Sequence, residues 1–245
     1  AIFNGNPGQV AAVIMEPTNF FEPRDGFLEE VRELAHQNGA LLIFDEVITG
    51  FRMSLGGAQE YFQVTPDLAA FGKSMANGMP LSTIVGKAEI MRLLEEVFFS
   101  FTFGGETLSL AASMATIQEM QEKSVFPQAW ELGARLAEGY NRMVWDMGLQ
   151  DHTQCIGLAP RTALYFRDGY GNDSLLLKSL FQQEVLKRGI LFAVTHCISY
   201  SHTADDIDMT LAAYYEALQV IKKALDEDDI ESFLEGAPVR PVFRP

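Results

Sequence analysis

A strand–helix–strand pattern near the start of the chain constrains its fold more than any other feature. Val10 to Met15 is a continuous apolar run, which is typical of a strand buried on both faces. Asp25 to Asn38 has apolar residues at helical spacing, with Asp25 placed to cap the helix and Gly39 placed to end it. Ala40 to Phe44 is a second apolar run. The pattern predicts two parallel strands joined by a crossover helix, and therefore an α/β fold.

Similar segments continue along the chain. Short apolar runs at 68–71, 83–85, 163–166 and 190–194 alternate with helical patterns at 88–97, 107–122, 126–147, 174–188 and 205–225. The pattern changes near residues 123–127. The sequence therefore predicts one domain over 1–125 and a smaller one over 126–245, with a loosely held acidic tail from about residue 226.

Length and composition narrow the function classes. The 245 residues make roughly one and a half average domains, and 48% apolar residues suffice for a core. The net charge of −15 repels phosphate backbones, so nucleic-acid binding is not expected. No long apolar run predicts a transmembrane helix. The two cysteines, Cys155 and Cys197, cannot form a disulfide framework and favour a reducing, cytoplasmic compartment.

Lys73 and Asp45 are the residues most indicative of chemistry. Asp45 follows a buried strand, at the position where open α/β sheets bind their ligands. Lys73 stands between Gly72 and Ser74 in an apolar segment, which is unusual for a surface lysine. A lysine amine forms a Schiff base with an aldehyde, and a carboxylate can hold the proton of a pyridine nitrogen. The alternative is that Lys73 is a solvated turn residue.

A nucleotide hydrolase is a second interpretation of the same residues. The strand ending at Asp45 and Glu46 resembles a Walker B strand, and Gly72-Lys73-Ser74 resembles the end of a P-loop. However, Asp67 occupies the position that a P-loop requires to be glycine. The order of the two motifs is also reversed, and Pro80 interrupts the helix that should follow.

Two further groups of residues are of types that can bind ligands. Thr102 to Thr107 includes two glycines before a predicted helix, which suits a phosphate, although Thr102 or Thr107 could equally be only a helix cap. The histidines show no metal-ligand spacing, and His196 beside Cys197 is predicted to be a packed pair. Those histidines are His36, His152, His196 and His202. No metal site is therefore predicted.

Several motifs occur in a fixed order along the chain. The first is Leu42–Arg52 (LIFDEVITGFR). The others are Gly56–Gln59 (GGAQ), Thr65–Leu68 (TPDL), Gly72-Lys73, Thr102–Gly105 (TFGG) and Ser201–Asp208 (SHTADDID). Together they resemble the motifs of class III pyridoxal-phosphate aminotransferases, especially the glutamate-1-semialdehyde 2,1-aminomutase branch, with Leu42–Arg52 resembling the strand motif of the family. The resemblance extends from about Val10 to about Leu225.

The resemblance implies the aspartate-aminotransferase-like fold, fold type I. It implies part of a large domain with a mixed, mostly parallel sheet, and a small C-terminal α+β domain. It also implies the cofactor pyridoxal 5′-phosphate. Lys73 would form its Schiff base, Asp45 would pair with its ring nitrogen and Val47 would pack on its ring. Thr102 would reach the cofactor phosphate of the neighbouring subunit in a homodimer. The reaction would transfer an amino group from a small donor to a keto or aldehyde acceptor.

The chain departs from the family pattern in two ways. The phosphate cup and the ring-stacking aromatic residue of the family lie upstream of the strand matched by Val10 to Met15. The chain is therefore expected to be the C-terminal portion of such an enzyme, and an inactive fragment that only dimerises is a third interpretation. In addition, Thr195–Ile198 replaces a Glu-Ala-Gly stretch of true aminomutases, which favours a transaminase with another substrate. Arg161 could hold a substrate carboxylate or lie on the surface.

Overall fold

The computed structural model describes residues 1–98, 100–192 and 195–240. The chain divides into two units, Ala1–Phe126 and Pro127–Pro245. The helices of the first unit are α1 (Ile2–Gly5), α2 (Phe27–Gln37), α3 (Gly57–Tyr61), α4 (Ala88–Met91) and α5 (Thr107–Glu122). Helix α6 (Val125–Asp146) begins at the end of the first unit and lies mostly in the second. The strands of the first unit are β1 (Ala12–Met15), β2 (Leu41–Asp45), β3 (Leu68–Phe71) and β4 (Thr83–Gly86).

The first unit contains a mixed sheet with the order β1-β2-β3-β4. β1 pairs parallel to β2, with Ala12 opposite Leu41, and β2 pairs parallel to β3. β4 runs antiparallel to β3. The parallel pair predicted from the strand–helix–strand pattern is therefore confirmed. Because parallel strands end at the same edge, the residues after β2 and β3 meet there.

The connecting helix begins differently from the prediction. Its N-cap is Gly26, with φ of 77°, and no side chain caps the helix. Asp25 is therefore not the cap: the chain enters α2 through a turn in which Phe27 N donates to Arg24 O. The buried core of this unit consists of Leu28, Leu42, Phe44, Val64, Ala69, Phe71 and Met75. It fixes α2 against the sheet.

The predicted helix at 88–97 is shorter than expected. Only Ala88–Met91 is α-helical, and a 3₁₀ helix follows at Arg92–Glu95. No residue of either segment is buried, so no apolar face is packed against the core to stabilise a longer helix. By contrast, α5 has the bounds that the sequence predicts.

The second unit is built on an antiparallel sheet with the order β5-β6-β7. Its strands are β5 (Thr153–Leu158), β6 (Arg161–Phe166) and β7 (Thr195–Cys197), and it also contains α7 (Leu175–Lys187) and α8 (Ala204–Asp226). β5 was not predicted, because its polar and small residues give a weak apolar pattern. Residues 190–192 of the predicted strand 190–194 are not in a strand, and 193–194 lie outside the described residues.

The core of the second unit is aromatic. The ring of Tyr140 lies edge-on to Phe181 and to Tyr214, with centroids 6.0 Å and 5.8 Å away. All three rings are buried, and such contacts stabilise a core beyond the burial of their area. The segment after α8 contacts α7 through Val239 N, which donates to Ser179 Oγ at 2.8 Å.

The mixed, mostly parallel sheet and the small antiparallel sheet confirm the predicted α/β fold class. None of the described helices is long and apolar enough to cross a membrane.

Candidate active site

Asp45 and Lys73 lie at the same edge of the mixed sheet. Asp45 is the last residue of β2 and is opposite Ala70 of β3. Glu46 N donates to Ala70 O at 2.9 Å, so the two strands remain paired to their ends. Lys73 follows β3 after one residue, Gly72. The fold thus brings together two residues that the sequence singled out.

The Lys73 backbone has an unusual conformation. Its φ is +40°, in the left-handed region that residues with a side chain seldom adopt. Lys73 begins a 3₁₀ helix, Lys73–Ala76, in which Met75 and Ala76 are buried. Lys73 itself is exposed, although its apolar flanks indicated otherwise. The physical reason is that it lies beyond the end of β3, and its buried neighbours anchor the turn instead.

Val47 is hydrogen-bonded to Asp45 and lies close to Gly72, the residue before Lys73. Asp45 Oδ1 accepts a hydrogen bond of 3.0 Å from Val47 N, which holds the half-buried carboxylate at the strand end. Val47 Cγ1 is 3.6 Å from the position that a Cβ on Gly72 would occupy. A carboxylate, a small apolar side chain and a lysine therefore follow two adjacent strands.

Glu46 has a different task from its neighbour Asp45. It is fully buried, and its carboxylate accepts hydrogen bonds from Thr49 Oγ1 at 2.7 Å and from the amides of Ala58 and Gln59 at 2.8 Å. These bonds hold the start of α3. Glu46 is therefore a structural group, which does not fit the Walker B interpretation of Asp45 and Glu46.

The turn at Gly72-Lys73-Ser74 also differs from a P-loop. A P-loop leads into a long helix whose first amides face the phosphates. Here Lys73 begins a 3₁₀ helix of only four residues, which ends at Ala76 with Asn77 as its C-cap. Within the described ranges, no three His, Cys, Asp or Glu side chains are grouped so that they could hold a metal ion.

Arg52 and Ser74 form a contact at this edge that the sequence did not predict. Arg52 Nε donates to Ile48 O, and Arg52 Nη2 donates to Ser74 Oγ, both at 3.1 Å. Arg52 thus links the loop after β2 with the turn that contains Lys73. Its place at the end of the Leu42–Arg52 motif was the available signal.

Thr102 lies in the exposed turn that precedes α5. The cap of α5 is neither Thr102 nor Thr107 but Glu106, which accepts from the amides of Leu108 and Ser109 at 2.7 and 2.8 Å. The hydrogen bonds from the Ser109 hydroxyl and from these amides lower the pKa of Glu106. The Glu106 carboxylate has two acceptor oxygens, one for each amide, whereas a threonine hydroxyl has a single oxygen.

Three of the candidate residues lie in strands β6 and β7 of the second unit. His196 is buried, with Nδ1 2.8 Å from Thr162 Oγ1 and Nε2 2.8 Å from Tyr214 OH. Burial lowers the pKa of His196 from 6.5 to about 4. Cys197 is exposed and not packed with it, because successive residues of a strand face opposite sides. Arg161 is buried at the start of β6 rather than on the surface.

Two solved structures illustrate the similarity of this chain in fold to known proteins. The FumI protein of Sphingopyxis sp. MTA144, in its pyridoxal-phosphate internal aldimine form, superposes with a TM-score of 0.82. It is 24% identical, over 92% of this chain and 55% of that one. An omega-transaminase from Sphaerobacter thermophilus gives a TM-score of 0.81 at 24% identity, over 89% of this chain and 54% of that one. These similarities confirm the predicted fold.

Sequence comparison is more specific. Glutamate-1-semialdehyde 2,1-aminomutase of Alkaliphilus oremlandii is 37% identical over 91% of this chain and 55% of its own length. The same enzyme of Acetivibrio thermocellus is 35% identical over 86% of this chain and 52% of its own length. The chain therefore spans about half the length of these curated relatives. The model of the class-III aminotransferase family matches residues 1–148, so the family resemblance seen in the motifs is confirmed, and the chain belongs to the class-III aminotransferases.

Proposed function

We propose that this chain supplies the lysine and the aspartate of a pyridoxal-phosphate-dependent amino-transfer site. The observation that carries the proposal is that Asp45 ends β2 and Lys73 closely follows β3, the neighbouring parallel strand, in a chain of this family. The substrates would be a small amino donor and a keto or aldehyde acceptor. Residues 1–125 would belong to the cofactor-binding domain, and 126–245 to the small C-terminal domain.

The residues at the sheet edge fit the cofactor in their chemistry. Pyridoxal phosphate supplies an aldehyde that bonds to amines and a pyridine ring that withdraws electrons. An exposed lysine amine at the end of β3 can bond to that aldehyde, and a carboxylate at the end of β2 can hold the proton of a ring nitrogen. Val47, half-buried beside Gly72, offers an apolar surface to one face of a flat ring.

Each residue would have a distinct role in the reaction. Lys73 Nζ would hold the cofactor and, when released, would take a proton from the substrate carbon that bears the amino group. The Asp45 carboxylate would hold the proton of the ring nitrogen and so keep that nitrogen positively charged. It is suited to this because Val47 N already fixes its Oδ1. Thr102 would bind the phosphate of a cofactor held mainly by a second copy of the chain.

Exposed apolar side chains between residues 93 and 114 support the proposal that a second copy of the chain binds there. Between residues 93 and 114, large apolar side chains are exposed to an extent that is unusual for a monomer. They are Leu93, Leu94, Val97, Phe98, Phe101, Phe103, Leu108, Leu110 and Met114. Thr102 lies within this stretch, so a partner that covered the face would also reach Thr102. We propose a homodimer with shared sites.

We propose that the reaction is a transamination between two substrates, rather than the internal transfer of an amino group that an aminomutase performs on an aminoaldehyde. The curated relatives named above are aminomutases, which supports an aldehyde-bearing substrate. However, Thr195–Ile198 replaces the Glu-Ala-Gly stretch expected in true aminomutases. His196 of this segment is buried and hydrogen-bonded within the second unit. A related transaminase with another small keto or aldehyde acceptor accounts for both observations.

Covalent trapping tests the proposal directly. The protein is mixed with pyridoxal phosphate, reduced with borohydride and digested, and the modified peptide is identified by mass spectrometry. We expect the label on Lys73. Lys73→Ala should lose it, whereas Lys222→Ala, a change at a helix-surface lysine paired with Asp226, should retain it. A label distributed over several lysines, or ATP turnover without a label, would contradict the proposal.

A further inference from the structure

We propose that Arg52 is a positioning residue, which holds the Lys73 turn in its left-handed conformation by bracing Ser74. The inference rests on the proposed role of Lys73. It adds a residue and a mechanical relationship that the cofactor chemistry by itself does not require.

The brace consists of two hydrogen bonds donated by the Arg52 side chain, which join two segments of the chain. Arg52 Nε donates to Ile48 O in the loop after β2, and Arg52 Nη2 donates to Ser74 Oγ in the turn after β3. Ser74 is bonded directly to Lys73 in the chain. A guanidinium is planar and its donors are fixed relative to one another, so these two bonds set the distance between the segments.

The residues next to the brace are in unfavourable conformations. Phe51, which precedes Arg52, has φ of +55°, and Lys73, which precedes Ser74, has φ of +40°. Residues with side chains persist in the left-handed region only where the surrounding structure enforces it. The Arg52–Ser74 bond connects the two strained positions and is a contact able to enforce the second.

The loop that contains Arg52 is held in place by its own contacts with β3 and with the end of β2. A Cβ on Gly50 would lie 2.3 Å from Phe71 Cδ1, so the loop packs directly on the end of β3. The rings of Phe51 and Phe71 are 5.6 Å apart, and Gly50 N donates to Glu46 O at 2.8 Å. Since the loop is held in these ways, loss of the brace should release the turn at Ser74 rather than the loop.

Lys73 is the residue that gains from this arrangement. Its side chain is exposed, whereas Met75 and Ala76 are buried, so packing fixes the later part of the turn but not its first residue. If the brace is lost, Lys73 can relax toward a right-handed conformation. The direction of its Cα–Cβ bond, and hence the position of Nζ, would then change.

Hydrogen exchange in the cofactor-free protein tests the brace by itself. The amides to follow are Met75 N, which donates to Gly72 O, and Asn77 N, which donates to Ser74 O. Arg52→Met and Ser74→Ala should each raise their exchange at least about fivefold, the effect of losing one hydrogen bond. Ser74→Thr retains the hydroxyl and should restore slow exchange. Arg24→Met, which breaks an exposed ion pair with Glu30, is the matched control.

Trapping with pyridoxal phosphate and borohydride then tests the consequence for Lys73. The rate of labelling at Lys73 should fall in Arg52→Met and Ser74→Ala, recover in Ser74→Thr and remain unchanged in Arg24→Met. The double variant should be no slower than Arg52→Met, because Ser74→Ala removes only a bond that Arg52→Met already removes.

The two measurements separate the possible failures. If the wild type is not labelled at Lys73, the proposed function fails, while the exchange data still decide whether the brace exists. If exchange at Met75 and Asn77 is the same in Arg52→Met as in the wild type, the brace is refuted even when Lys73 is labelled. Equal labelling rates in Ser74→Ala and Ser74→Thr would also overturn it.

Discussion

A Cβ placed on Gly57 would lie 2.6 Å from Oε2 of Glu46, so the buried carboxylate occupies the space that a side chain at Gly57 would need. Gly57 also has φ of +79°. The two residues are complementary: the glycine leaves the volume, and the carboxylate accepts the amides of the following residues. This arrangement fixes α3 next to the loop that follows Asp45.

Glu46→Gln should destabilise the first unit. A glutamine has one acceptor oxygen in place of two, so it cannot accept the hydrogen bonds from Thr49, Ala58 and Gln59 together. We expect a loss of about 2 kcal/mol in the free energy of unfolding, measured by urea denaturation. Glu30→Gln, at an exposed ion pair, should cost less than about 1 kcal/mol. Equal midpoints for the two variants would contradict the structural role of Glu46.

Lys73 and Asp45 should respond differently to substitution in an enzyme that contains this chain. Lys73→Ala removes the amine that we propose bonds to the cofactor, so both borohydride labelling and transamination should be abolished. Asp45→Asn leaves that amine in place, so labelling should persist while kcat falls by on the order of 10²- to 10³-fold. Normal turnover in Lys73→Ala would disprove the mechanism. A normal rate in Asp45→Asn would remove Asp45 from it.

His196 should make the second unit less stable as the pH falls below its ordinary pKa. In the folded protein the pKa of His196 is about 4, against the ordinary value of 6.5 for a histidine in the unfolded chain. Between these values the unfolded chain binds a proton that the folded one does not. Stability should therefore be complete above pH 6.5 and decline by about 3 kcal/mol as the pH approaches 4. Urea denaturation at several pH values measures this decline.

His196→Gln is the control for that decline. The amide can still hydrogen-bond to Thr162 or Tyr214, but it does not titrate. Its unfolding free energy should vary little between pH 6.5 and 4. A slope as steep as that of the wild type would assign the effect to other groups.

Asp67 should stabilise the first unit through three contacts. It accepts from Lys87 Nζ at 2.6 Å, from Leu42 N at 2.7 Å and from His36 Nε2 at 2.8 Å. Burial raises the pKa of Asp67, but these contacts outweigh burial and lower it to about 2. Because the folded pKa is lowered from 3.8, the stabilisation is present above pH 3.8 and is lost as the pH falls toward 2.

The matched variants for Asp67 are both aspartate-to-asparagine changes. Asp67→Asn should cost about 2 kcal/mol at pH 7 and flatten the acid limb of the stability curve. Asp208→Asn, which breaks an exposed pair with Arg135, should cost less than about 1 kcal/mol. Chemical denaturation across the acid range measures both. A similar cost for the two would show that burial of Asp67 has no energetic consequence.

The apolar face between residues 93 and 114 should mediate self-association. We expect the wild type to sediment as a dimer at micromolar concentration, and Leu108→Glu with Met114→Glu to sediment as a monomer, because a charge in an apolar interface is costly. Leu34→Glu, at an exposed apolar residue of α2, should remain dimeric. A monomeric wild type, or a dimer that survives both substitutions, would contradict the proposed interface.

Much of the first unit follows from local patterns in the sequence. Apolar periodicity predicted β1, α2, β2 and α5, and it placed Asp45 at the end of a buried strand. Errors occurred where local signals compete. Asp25 and Thr107 are good capping residues by type, yet Gly26 and Glu106 cap their helices. β5 was not predicted, because its residues have no marked apolar pattern.

The sequence by itself thus determined the parallel pairing of β1 and β2 and the position of Asp45 at the end of a buried strand, since these depend on residues close together in the chain. Only the tertiary structure decided that Glu46 is an internal acceptor for α3, that Lys73 is exposed and left-handed, and that Arg52 reaches Ser74. The contacts of Glu46 and Arg52 join residues separated by an intervening loop or strand. Their formation depends on how those segments fold back, which no local spacing of residue types encodes.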